Sequence, residues 1–132
     1  MTRWLSVEVV RSIHEEQLRA HGGAAGVRDE GLMESALARP LNAAAYGEPD
    51  IAELGALYAI AIARNHPFID GNKRTGWMAM VVFFEKNGMT FEPPDAEAAV
   101  AMLDMAAGTM PDEAFVAWVG RYAERREQGA SM

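Results

Sequence analysis

The sequence predicts an all-α fold, a single bundle of about six helices around a buried central helix, with little room for strands. Three observations carry this. Apolar residues recur at helical spacing, as in Val7, Val10, Ile13 and Leu18. Capping residues precede the periodic stretches at Ser6, Asp29, Asp50 and Asp95. Glycine and proline separate them, at Gly22-Gly23, Pro40, Pro67, Gly88, Pro93-Pro94 and Pro111. A chain of 132 residues suits one core, so residues 1–132 read as one domain with its core at about 4–122.

The elements follow in order. Ser6 caps a first helix that runs to about Ala20, where His21-Gly22-Gly23 stops it. Asp29 opens a short second helix over Glu30–Ala38, and Pro40 ends it, because proline lacks the amide an interior turn needs. Asn42–Pro49 reads as a loop with a short extended piece at Ala44–Tyr46. Asp50 and Glu53 form a capping box for a third helix, Ile51–Asn65. Pro67 biases His66 toward an extended conformation. The fourth helix starts at Asp70 or Gly71 and runs to about Asn87, with Gly88 beyond its end. Its Trp77–Phe84 segment is apolar all round, which marks it as the central helix. Met89–Phe91 reads as a brief strand. Asp95 caps a fifth helix ending near Gly108, and Pro111 starts a sixth, whose Asp112 and Glu113 suit the positive end of the helix dipole. From Glu127 onward the tail is expected to fray.

Composition narrows the function. Net charge is −7, from 19 acidic and 12 basic side chains, which argues against nucleic acid as a direct ligand. Arg121, Arg125 and Arg126 alternate with Glu124 and Glu127, the pattern of a solvated helix face. No apolar run approaches the ~20 residues of a bilayer span, and Met1–Glu8 carries no secretory h-region. The absence of cysteine excludes disulfides and thiolate metal sites, and together these features predict a cytoplasmic protein. His14 sits among Glu15, Glu16 and Gln17 and reads as a surface residue, and His21 reads as a helix-end residue. The methionines, Met78, Met80, Met102 and Met105 among them, fall at core-like spacing.

The chemistry lies in His66-Pro67-Phe68-Ile69-Asp70-Gly71-Asn72-Lys73-Arg74-Thr75-Gly76-Trp77. A glycine turn opens onto a helix whose first amides need acceptors, and Gly71 lets a ligand approach those of Asn72, Lys73 and Arg74. With Lys73 and Arg74 beside it, and Arg64 adding to the local positive charge, this turn suits phosphate oxygens. Asp70 can hold a hard cation such as Mg²⁺, and the His66 imidazole can take a hydroxyl proton at neutral pH. Phe68 is expected to anchor the loop in the core. Each residue also has a plainer reading: Asp70 as a helix cap, Lys73 and Arg74 as surface cations, His66 as a structural residue. Spacing alone leaves both sets open.

The stretch His66–Arg74 resembles the signature of the Fic/Doc superfamily, and is most similar to the Doc (death-on-curing) branch, H-x-F-x-[DN]-x-N-K-R, at all six fixed positions. Gly26–Pro40 is also similar to the N-terminal part of many Doc-type sequences. Against the AMP-transferring Fic pattern, H-P-F-x-[DE]-G-N-G-R-x-x-R, the chain agrees at seven of nine fixed positions. It departs where Lys73 replaces glycine and Trp77 replaces the last arginine. The resemblance implies a Fic/Doc helical domain, ATP and Mg²⁺ as cofactors, and transfer of the γ-phosphoryl group to a threonine of elongation factor Tu, arresting translation. His66 would be the base, Asp70 the metal ligand, and Gly71, Asn72, Lys73 and Arg74 the phosphate-holding residues. It further implies a neutralising Phd-type antitoxin, and a flap near Asn42–Pro49 that aligns the target peptide. No stretch completes the self-inhibitory pattern [ST]-x-x-x-E-[GN]: Ser12…Glu16-Gln17 and Thr109…Glu113-Ala114 both miss the last position, which favours inhibition in trans. The rival readings are an AMP transferase, kept open by Pro67 and Gly71, and a catalytically silent binding module.

Overall fold

Residues 1–126 are described by a computed structural model; the expected frayed tail, 127–132, lies outside them. Helices α1 (Val7–His21), α2 (Glu30–Tyr46), α3 (Ile51–Asn65) and α4 (Asn72–Lys86) come first, followed by strand β1 (Met89–Phe91). Helices α5 (Asp95–Ala107) and α6 (Asp112–Tyr122) and strand β2 (Ala123–Arg125) complete the described chain. The fold is the expected all-α bundle with a short two-stranded sheet.

Local capping sets several boundaries. Ser6 Oγ accepts the Val9 amide at 3.2 Å, Asp29 Oδ1 accepts that of Leu32 at 2.9 Å, and Asp50 Oδ1 accepts that of Glu53 at 2.8 Å. At α5 and α6 the cap positions fall instead to Pro94 and Pro111, so Asp95 and Asp112 are the first helical residues.

Three expectations are corrected. First, α2 does not stop at Pro40 but continues to Tyr46. Pro40 is buried, and the helix formers Leu41 and Ala43–Ala45 carry the turn onward, with Ala43 and Ala44 packed on the core. The loop expected from Asn42, with its extended piece at Ala44–Tyr46, therefore shrinks to the link after Tyr46. Second, the brief strand expected at Met89–Phe91 is present as β1, but it has an unexpected antiparallel partner in β2, Met89 opposite Arg125 and Phe91 opposite Ala123. Arg125, expected on a helix face, is thus in a strand. Third, the most deeply buried helix is α3, not α4. Every α3 residue from Leu54 to Ala63 is buried, whereas α4 buries one face, Thr75, Gly76, Ala79, Met80, Phe83 and Phe84, and leaves Trp77, Met78, Val81 and Val82 half-buried.

Small residues explain how closely α3 and α4 meet. A methyl group added at Gly76 would stand 2.9 Å from the Ala59 carbonyl oxygen, which as helix backbone cannot swing aside. Overpacking of this kind costs ~1–3 kcal/mol against ~1 kcal/mol of improved helix propensity. Gly76→Ala is therefore expected to destabilise the protein by about 1 kcal/mol, read as a lower urea midpoint. A midpoint at or above wild type would show that the two helices separate without strain.

A charged cluster fastens α2, α3 and α6. Asp112 pairs with Arg39 at 2.6 Å and with Arg64, and Arg64 also donates to the carbonyls of Met105 and Met110, both at 3.1 Å. Arg64 is thus spent on this fastening and does not add to the charge at the turn. Burial pushes the Asp112 carboxyl up, but the hydrogen bonds and charges of Arg39 and Arg64 outweigh it and hold the group below its ordinary range. A carboxyl depressed in the folded state stabilises above its unfolded pKa of ~3.9 and loses that contribution as pH falls through the folded value. The stability that this carboxyl contributes should therefore be lost as pH falls below about 4. Asp112→Asn should flatten that drop in urea midpoints taken from pH 5 downward, and a profile parallel to wild type would exclude Asp112 as its source.

Candidate active site

The turn between α3 and α4 holds His66 to Gly71, the first turn of α4 holds Asn72, Lys73 and Arg74, and a second loop, residues 22–29, lies along them. Ile69 donates its amide to the Gly26 carbonyl at 3.1 Å, and Val27 forms an antiparallel bridge with Phe68. The Pro67 carbonyl accepts the amides of Arg28 at 2.6 Å and Asp29 at 3.2 Å.

His66 ends α3 in the left-handed conformation, φ 52° and ψ 55°, not the extended one that Pro67 favours. It alone among the described non-glycine residues has positive φ. The strain, of order 1 kcal/mol, is met by Arg28, whose Nε donates to the His66 carbonyl at 2.8 Å and whose Nη2 donates to that of Asn65 at 3.0 Å. These are carbonyls a helix end leaves unpaired. The His66 side chain is exposed. Asn72 Nδ2 lies 3.4 Å from its Nδ1, an outer-limit contact that orients the ring.

Asn72 braces the loop from inside. It is 7% exposed; its Oδ1 accepts the Phe68 amide at 2.9 Å and its Nδ2 donates to the Phe68 carbonyl at 3.0 Å. Phe68 is the expected anchor, at 1% exposure. Its ring stacks on His14, with centroids 3.8 Å apart and planes 7° from parallel. His14 is therefore not on the surface but 3% exposed, with Nε2 2.8 Å from the Asp70 carbonyl oxygen. Helical spacing held the clue: His14 falls four residues after buried Val10 and four before Leu18.

Asp70 does not cap α4. Its Oδ1 accepts the Gly71 amide at 2.8 Å and its Oδ2 accepts that of Ala24 at 3.3 Å, and the side chain stays exposed. Gly71 takes the cap position at φ 77°, where a side chain would be strained, and among the described residues no side chain bonds the first-turn amides. Lys73 and Arg74 are exposed, and among the described residues neither has an ion-pair partner. Both open onto a cleft of about 980 Å³ between α4 and α5, lined further by Trp77, Met78, Met102 and Leu103. The plain-cap reading of Asp70 thus fails, and the uncapped helix end has its two cations unspent.

Residues 4–84 match the Fic/DOC family. The chain is 32% identical over 119 residues to "Protein kinase doc" of Escherichia phage P1, spanning 89% of this chain and 90% of the relative. It is 44% identical over 73 residues to "Toxin Doc" of Mycolicibacterium smegmatis, covering 53% of this chain and 55% of that one. With the His66–Arg74 turn intact and the match running through α1 to α4, the chain belongs to the Fic/DOC family, in its Doc toxin branch.

Proposed function

We propose that the protein is a Doc-type toxin acting as a protein-threonine kinase, which moves the γ-phosphoryl group of ATP to elongation factor Tu and is neutralised by a Phd-type antitoxin. The observation that carries this reading is the meeting, at one turn, of the exposed imidazole of His66 and the carboxylate of Asp70 with a helix end that, among the described residues, has no side-chain cap and no ion-pair partner for Lys73 or Arg74. The relative named as a protein kinase supports it.

The donor set fits a metal that arrives with a nucleotide. Among the described residues no group of three or more His, Cys, Asp or Glu could hold a metal ion by itself. Asp70 offers one carboxylate, which matches Mg²⁺ shared between a protein oxygen and phosphates. Bound there, Mg²⁺ would neutralise charge on the phosphate oxygens. The amides at the start of α4, with Lys73 and Arg74, hold the phosphates; Asn72 contributes its backbone amide, since its side chain is engaged with Phe68. His66 takes the proton of the target hydroxyl as its oxygen attacks the γ-phosphorus and the bond to the bridging oxygen of ADP breaks. Lys73 favours this over AMP transfer, because its side chain adds bulk and charge where an AMP transferase has glycine.

The test offers elongation factor Tu and Mg²⁺ with ATP labelled at the α or the γ phosphate. Label is expected from the γ position alone. Label from the α position would replace the kinase by an AMP transferase, and label from neither would favour a binding module.

A further inference from the structure

We infer that His14, on α1, is a positioning residue for the proposed reaction: it fixes the Asp70–Gly71 peptide and through it the aim of the Asp70 carboxylate. The inference rests on the kinase reading for the role of Asp70, but its geometry stands independently. A carbonyl oxygen only accepts, so the 2.8 Å contact between His14 Nε2 and the Asp70 carbonyl requires the proton on Nε2. The same peptide unit carries the Gly71 amide, which donates to Asp70 Oδ1 at 2.8 Å. One peptide plane is thus held at its oxygen by His14 and at its nitrogen by the carboxylate itself. Rotation of that plane would carry Oδ1 with it.

The ring is fixed in turn. It stacks on Phe68 at 3.8 Å, is 3% exposed, and lies so near Gly71 that an added Cβ there would stand 3.7 Å from its Nε2 and Cδ2. A phenyl ring could keep the stack, and only an imidazole also supplies the donor. The remaining carboxylate oxygen, Oδ2, accepts from Ala24 in the loop that follows α1. Helix α1 and its loop therefore address both the carboxylate and the peptide behind it, 46 and 56 residues away in sequence. Groups that orient a metal ligand from behind typically contribute 10- to 100-fold in metal affinity.

The test measures binding of Mn²⁺·ATP and of metal-free ATP by calorimetry, for wild type, His14→Phe and His14→Gln. His14→Phe should weaken Mn²⁺·ATP about 10-fold while changing metal-free ATP less than about 2-fold, because Lys73, Arg74 and the helix end are untouched. His14→Gln, which retains a donor, should recover most of the loss. If His14→Phe does not fold, His14→Gln against His14→Met gives the same comparison of donor with no donor. Equal Mn²⁺·ATP affinity in wild type and the donorless variant, or equal loss for both forms of ATP, would overturn the inference and leave the kinase reading standing. Failure of the wild-type protein itself to bind Mn²⁺·ATP would overturn both.

Discussion

On the proposed kinase reading, His66→Ala is expected to lower single-turnover phosphoryl transfer to elongation factor Tu about 10²- to 10⁴-fold, the usual contribution of a placed general base. Stability should hardly change. The side chain is exposed and its one polar contact is the 3.4 Å approach of Asn72. What holds the unusual backbone conformation at this position is Arg28 on the His66 and Asn65 carbonyls, and these survive the substitution. Histidine tolerates left-handed φ somewhat better than alanine, so a loss of a few tenths of a kcal/mol is the most that backbone strain should add. On the same reading, growth arrest on expression should disappear while binding to the proposed antitoxin remains measurable. A variant that still transfers the label at the wild-type rate would remove His66 from the chemistry and leave Asp70 and the helix end as a binding site.

The motif was legible because its chemistry is contiguous: His66, Asp70, Gly71, Lys73 and Arg74 meet through one turn, so spacing in sequence is spacing in space. Ser6 and Asp50 were legible for the same reason, since each bonds an amide three residues on. What escaped lies across the chain. Arg28 reaches His66 over 38 residues, and nothing in its neighbourhood distinguishes it from a surface arginine. His14 was hidden by its acidic neighbours, although its place between Val10 and Leu18 put it on the buried stripe. Strand β2 exists because β1 offers it an edge, and a charged segment such as Ala123–Arg125 carries no strand pattern of its own. Pro40 misled in the opposite direction, since a local rule was overridden by packing of α2 against the core. The apolar run Trp77–Phe84 points by its pattern to the centre of the bundle, yet part of its surplus apolar surface, Trp77, Met78 and Val81, walls the cleft beside Lys73 and Arg74.

Phe68→Ala is expected to cost about 3–5 kcal/mol, the largest loss of stability from any single change in the turn. The ring is 1% exposed and stacks on His14, and its main chain bridges to Val27, so truncation empties a cavity beside α1 and the 22–29 loop. A typical domain has only ~5–15 kcal/mol in total, so the variant should unfold at a much lower urea midpoint yet remain folded in the cold. Activity should fail there too. Asn72 grips the Phe68 main chain at both its amide and its carbonyl, and this residue stands midway between His66 and Asp70. Freed of its anchor, the segment is held by hydrogen bonds alone and fixes the separation of base and carboxylate less tightly, and errors of about 1 Å in such placement can cost 10²-fold in rate. Phe68→Leu, which refills much of the space, should recover stability more fully than activity, because it restores volume without the flat face on which His14 rests. His66→Ala and Phe68→Ala are thus separable by measurement: the first loses rate at constant stability, the second loses both. A Phe68→Ala protein within about 1 kcal/mol of wild type would mean the loop is held by its hydrogen bonds to residues 24–29 alone, with the aromatic anchor dispensable.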